Sequence, residues 1–209
     1  MSKRLVSGYY EDYYPFDSLG MFNSFITTQD PSELQANDVL IIWGGADIHP
    51  SLYKKGRSQY SWASQAPSHR DVIEWGLMQR AKELSIPIIG VCRGAQMLCA
   101  LAGGYLIQHV TGHGGNHRVV TNDGQVFVAN SIHHQMMVPD NTNHELIAHT
   151  EETLSSVYWD ENTPVDRHVE PELVYFNDVK GFAVQWHPEM LELDSKANQY
   201  FLNMIEERI

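Results

Sequence analysis

The sequence predicts an α/β chain with a mostly parallel central sheet flanked by helices. Three observations carry that expectation. Asp38 to Trp43 reads D-V-L-I-I-W, a β-branched run that ends in Gly44-Gly45, as a buried parallel strand ends in a tight loop. Ile86 to Val91 is a second apolar run of the same kind. Between and after them lie segments with helical spacing, so the order strand, helix, strand, helix argues a parallel sheet covered on both faces.

In chain order, Leu5 to Gly8 is expected as a first strand. Asp17 to Phe25 places Leu19, Met21, Phe22 and Phe25 at helical intervals and predicts a helix. Tyr53 to Ser68 is polar and aromatic without a period, hence a loop. Ser68 to Leu84 predicts a helix through Val72, Trp75, Leu77, Met78 and Ala81, with Ser68 as its N-cap. Arg93 to Ala102 predicts the next, stopping at Gly103-Gly104. The second half is richer in strands, expected at Arg118–Val120, Val126–Ala129, Glu145–Ala148, Leu173–Phe176 and Gly181–Trp186. A last helix from Ser195 carries Ala197, Phe201, Met204 and Ile205 on one stripe, with Asp194 as its expected cap.

A chain of 209 residues with 43% apolar and 19% charged residues suits one globular domain. The net charge of −12, with no lysine or arginine cluster, argues against nucleic acid as a partner. Gly94 to Ile107, the longest weakly polar stretch, is shorter than the ~20 residues of a membrane span. The first residues have no apolar run resembling a signal peptide. Cys92 and Cys99 would stand two helical turns apart, about 10 Å, too far for a disulfide. A soluble cytoplasmic protein with a free thiol is the expectation.

Gly90-Val91-Cys92-Arg93-Gly94 has the spacing of a nucleophile elbow with cysteine in the central place. A sharp strand-to-helix turn strains the central residue and demands small neighbours two before and two after. The helix N-terminus favours a thiolate, and the Arg93 N–H can serve as an oxyanion donor. On the pentapeptide alone, a buried packing cysteine explains the pattern equally well. Val184-Gln185-Trp186-His187-Pro188-Glu189 supplies a base and an orienter. Pro188 holds His187 extended, so His187 and Glu189 point the same way. Alone, an exposed H-P-E turn would read the same.

Together these segments resemble the class I glutamine amidotransferase-like superfamily, whose signature is G-x-C-x-G-x-Q followed by a distant H-P-E. Further segments are similar to one branch, the gamma-glutamyl-gamma-aminobutyrate hydrolases: Gly44 to Pro50 with Tyr53, Arg70-Asp71 with Glu74, Asn130 to Gln135, and Val184 to Glu189. The resemblance runs from about Leu5 to Glu189. It implies a flavodoxin-like α/β fold and a Cys92–His187–Glu189 triad that hydrolyses a γ-glutamyl amide through a thioester. It implies an oxyanion hole of Gly45 and Arg93 N–H groups, and a glutamyl pocket at Gln96, His134 and Gln135. Without it, Gln96 would be a helix-surface amide and His134 a satisfied loop histidine. The departures are a short segment before Asp38, Ala46 in the glycine loop, Cys99-Ala100, and Met190 after H-P-E.

No cofactor or metal is expected. His109, His113 and His117 sit at four-residue spacing, but Gly112, Gly114 and Gly115 break the helix that would align them. Tyr9, Tyr10, Tyr13, Tyr14, Tyr60 and Trp62 read as local packing by default, or as a substrate mouth. The Tyr53–Ser68 loop is the expected wall for the leaving amine. Three functions fit: a free-standing hydrolase of a small-molecule γ-glutamyl substrate, favoured by Arg93; a glutaminase subunit feeding ammonia to a synthetase or ligase partner chain, favoured by the short length; and an idle binding module, disfavoured by the complete triad. A homo-oligomer is compatible with each.

Overall fold

The structure, a computed structural model, describes residues 3–209. Its strands are β1 (Lys3–Gly8), β2 (Phe22–Thr28), β3 (Asp38–Ile42), β4 (Ile88–Val91), β5 (Tyr105–Ile107), β6 (His109–Val110) and β7 (His117–Thr121). They continue as β8 (Val126–Ala129), β9 (Met136–Val138), β10 (His144–Thr150), β11 (Tyr158–Asp160), β12 (Thr163–Pro164), β13 (Pro171–Phe176) and β14 (Gly181–Val184). The α-helices are α1 (His69–Leu84), α2 (Arg93–Ala102) and α3 (Lys196–Arg208).

Among the described residues, nine strands form one sheet in the order β2-β1-β3-β4-β14-β13-β10-β7-β8. The half from β2 to β14 is parallel, and the half from β14 to β8 is antiparallel. The fold is thus the expected α/β class, with a mixed sheet. Alternation along each parallel strand divides the core. Leu5, Val39, Ile41, Ile89 and Val91 meet Phe201 and Ile205 of α3 on one face. Val6, Leu40, Ile42 and Ile88 meet Leu77 of α1 and Leu98 of α2 on the other. Period-two patterning of fully buried strands requires helices on both sides, and that is where they lie.

Ser68 caps α1 as expected. Its hydroxyl accepts from the Asp71 N–H, and Asp71 accepts from the Ser68 N–H, a capping box. Gly103, left-handed at φ 102°, ends α2. Two expectations are corrected. Asp17–Phe25 is not a helix: a short 3-10 turn at Phe16–Ser18 leads into β2. Phe22, Ser24, Ile26 and Thr28 alternate inward with the exposed Asn23, Phe25 and Thr27, and this period of two prevails. The cap of α3 is Ser195 rather than Asp194, because the extended Ser195 directs its hydroxyl to the Asn198 N–H at 3.3 Å.

The parallel strands β1, β3, β4 and β14 all end at one edge of the sheet. Tyr9–Asp12, Trp43–Asp47, Cys92 and Gln185–Glu189 follow them directly, so four separate chain segments converge there. No helix of the described residues is long and apolar enough to cross a membrane.

Candidate active site

Cys92 occupies the turn between β4 and α2 with φ 49° and ψ −103°, a conformation that costs an L-residue energy. The flanking glycines make it sterically feasible. A Cβ on Gly90 would lie 2.5 Å from the Gly94 carbonyl oxygen, and one on Gly94 would collide with the carbonyl of Ile42. The elbow is therefore real geometry. Cys92 is 4% exposed at the head of α2, whereas Cys99 is fully buried and its thiol is pushed up to about 12 by burial.

His187 stands beside Cys92 because β14 pairs with β4, and the Cys92 N–H donates to the Val184 carbonyl at 2.7 Å. Nδ1 of His187 donates to Glu189 Oε1 at 2.7 Å. Cys92 and His187 line the same cavity. Burial alone would lower the imidazole's basicity, but its hydrogen bonds and charge contacts with Cys92 and Glu189 raise its pKa to about 10. Two asparagines hold the base in place. Asn130 accepts from the His187 N–H at 2.8 Å and donates to its carbonyl at 2.9 Å. Asn198 of α3 donates to the carbonyls of Pro188, Leu191 and Glu192. Asn130 lies in a segment the sequence had singled out without giving it this role; nothing in the sequence pointed to Asn198.

The Arg93 side chain turns away from Cys92 into the core. It donates to Asp71 at 2.6 Å and to Glu74, while Arg70 donates to Glu74 at 2.9 Å. Burial raises the Glu74 pKa against the pull of both arginines. The Arg93 backbone N–H follows Cys92 as a first-turn donor of α2, without an intrahelical partner. Gly45 lies at φ 150°, and a Cβ there would strike the Arg70 guanidinium.

Gln96, Gln135 and His134 line a cavity of about 400 Å³ beside Cys92. Gln96 is 3% exposed, and its amide donates to the Gln135 carbonyl at 3.1 Å. Asp47, a residue given no role from the sequence, organises this wall. It accepts from His134 Nε2 at 3.0 and 3.1 Å, from Gln135 Nε2 at 3.0 Å and from the Trp62 N–H at 2.8 Å. Its place in Gly44-Gly45-Ala46-Asp47 was the available signal.

A second cavity of about 360 Å³ opens from Cys92 on the His187 side, walled by Tyr10, Asp12, Trp43, Ile132 and Met190. Trp62 of the Tyr53–Ser68 loop lies instead on the Gln96 side, stacked on His134 with centroids 3.9 Å apart. The loop is therefore not the wall of the His187 side. Asp47 pins its Trp62 N–H to the opposite cavity.

The spaced histidines are not on a helix. His109 belongs to β6 and His117 to β7. His113, His133 and Glu172 bring one ligand-type atom each to within 4.8 Å of one another. The His113 and His133 rings, however, face each other at 4.3 Å with a 33° tilt. Burial, with the charges of His113 and its neighbours, keeps His133 well below the usual imidazole range. Glu172 accepts from His117 at 3.0 Å, tying β13 to β7.

A strand–turn–helix cysteine, a neighbouring histidine and a glutamate on that histidine, at the carboxyl edge of an α/β sheet, define a hydrolase-type protein of glutamine amidotransferase-like fold. Residues 27–189 match the Peptidase C26 model, and the chain belongs to that family. It is similar to a Schizosaccharomyces pombe protein provisionally named a glutamine amidotransferase, 29% identical over 196 residues, covering 79% of this chain and 69% of the other. It is also similar to the carbamoyl phosphate synthase small chain of Campylobacter jejuni, 29% identical over 147 residues, covering 69% of this chain and 36% of the other. A Thermotoga maritima glutamine amidotransferase superposes with a TM-score of 0.60 at 14% identity, covering 99% of this chain and 85% of that one.

Proposed function

We propose that the chain hydrolyses the γ-glutamyl amide bond of glutamine or of a γ-glutamyl amine through a thioester on Cys92. The observation that carries this reading is the arrangement of Cys92 at the head of α2 on one cavity with His187, whose Nδ1 donates to Glu189 Oε1 at 2.7 Å. Protonated beside Cys92, His187 is placed to hand its proton to the leaving amine, while Glu189 fixes the orientation of the ring.

Cys92 Sγ bonds to the δ-carbon of the substrate, and the oxyanion is received by the N–H groups of Arg93 and Gly45. The carbon–nitrogen bond breaks as His187 passes its proton to the leaving amine. Water then adds to the thioester, His187 takes a proton from it, and glutamate departs as the sulfur returns. The glutamyl head lies against Gln96, His134 and Gln135. Gln135 Oε1 is buried without a hydrogen-bond partner, which suits an acceptor for the substrate ammonium. No step calls for a cofactor or metal. The sheet runs from Lys3 to Val184, which supports reading the chain as one domain. A reducing cytoplasm would keep Cys92 in its working state.

A second reading is a glutaminase subunit that hands ammonia to a synthetase, supported by the similarity to the carbamoyl phosphate synthase small chain. Ammonia release from glutamine by the isolated protein, beside amine release from γ-glutamyl amides, separates the two. Turnover of the amides supports the hydrolase. Inertness toward all of them, relieved for glutamine by a partner synthetase, replaces it with the subunit reading.

A further inference from the structure

We infer that the cavity on the His187 side receives the leaving amine, and that it accepts apolar or cationic amines and discriminates against amines bearing a carboxylate. The inference rests on the proposed γ-glutamyl amide hydrolysis and names its substrate class.

The direction of departure follows from proton transfer. His187 Nδ1 is committed to Glu189, so the proton for the leaving nitrogen comes from Nε2, the remaining ring nitrogen, in the cavity that His187 shares with Cys92. The leaving group must therefore lie on the His187 side of the sulfur. Two cavities meet at Gly45, Cys92 and Ile132, and only one of them contains His187. The other holds the polar wall of Gln96 and Gln135, which suits the glutamyl head.

The lining of the His187-side cavity sets its chemistry. Tyr10, Ile132 and Met190 are 45%, 62% and 59% exposed and present apolar surface to whatever leaves. Met190 is the residue at which the segment after H-P-E departs from the resembling branch. Apart from His187 itself, the charged groups are Asp12 and Glu189, both acidic, and no lysine or arginine is among the described lining residues. The Arg70 guanidinium lies against the Tyr10 ring, 4.6 Å from its centroid. Its three nitrogens already donate to Glu74, Tyr10 and the Trp43 carbonyl. A leaving group with a carboxylate, as in γ-aminobutyrate, would meet the negative charge of Asp12 with no lysine or arginine among the described lining residues. A butyl chain would cover the apolar rim, and a distal ammonium would face Asp12.

The test compares three γ-glutamyl amides with the same butyl spacer: butylamine, 1,4-diaminobutane and γ-aminobutyrate, using the isolated full chain. The diaminobutane and butylamine amides should exceed the γ-aminobutyrate amide in kcat/KM by up to about fivefold, the upper range for one partly exposed charge contact. Asp12→Lys should narrow or reverse that ratio. Equal or faster cleavage of the γ-aminobutyrate amide, or a ratio unmoved by Asp12→Lys, overturns the inference and leaves the hydrolase reading standing. Inertness of all three amides and of glutamine overturns both.

Discussion

Asp47 holds His134 across the cavity beside the nucleophile, with both carboxylate oxygens within 3.1 Å of Nε2. The same carboxylate takes Gln135 and the Trp62 backbone. One side chain thus fixes the wall against which the glutamyl head is proposed to rest. Asp47→Ala should raise KM by about tenfold with a smaller loss in kcat, because it loosens binding groups and leaves the triad intact. Steady-state kinetics on glutamine decide this. A fall in kcat at constant KM would assign Asp47 to the chemistry.

Cys92 and Cys99 should differ sharply toward electrophiles. Cys99 is buried and its thiol is pushed up to about 12, whereas Cys92 opens onto both cavities. A glutamine-mimicking chloroketone should add once to the wild type and to Cys99→Ala, and not at all to Cys92→Ser. Intact-protein mass spectrometry counts the adducts.

His187 carries a pH signature. Its pKa in the folded protein, about 10, lies above the unbound value of 6.5, so the protonated ring persists through neutral pH. The stability it contributes is fully present below 6.5 and disappears as pH rises through about 10. Titration of the imidazole by NMR in the wild type should place the transition near 10. In Glu189→Gln it should fall, since a source of negative charge is gone. His187→Ala should lower kcat by about a thousandfold, and Glu189→Gln by less.

Gly94→Ala should cost about 3 kcal/mol, the upper range for overpacking. The added methyl meets the Ile42 carbonyl, a backbone group in the middle of the sheet that cannot step aside. Urea unfolding measures the loss. An unchanged midpoint would mean that the elbow opens more easily than its geometry indicates.

The sequence made the chemical centre legible because its demands are local. The elbow needs glycines at fixed offsets, and Gly90 and Gly94 meet that need. His187 and Glu189 face each other two residues apart, although they do so across a 3-10 turn at Pro188–Met190 rather than along the extended chain expected. Ser68 and Asp71 announce the start of α1 within a single turn. The remainder depends on distant neighbours. β2 is a half-exposed edge strand whose apolar residues also fit a helix, and only its pairing with β1 decides. The place of the Tyr53–Ser68 loop is set at a distance too: Trp62 lies on the Gln96 side because its N–H donates to Asp47, in a different segment. Asn198 acts on the H-P-E turn from the final helix, at a range no local pattern encodes.

The hydrogen bond from the Cys92 N–H to the Val184 carbonyl joins segments almost a hundred residues apart in the chain. Cys92 and His187 therefore become neighbours only when β14 has docked against β4 in the correct register. A slip of one residue would turn alternate side chains to the opposite face. Closing so long a loop is slow relative to forming α1 or α2. During refolding, helical signal should accordingly return before any turnover does. Recovered activity then counts only molecules whose whole parallel half has assembled, and a protease that catches the chain earlier meets an inert thiol.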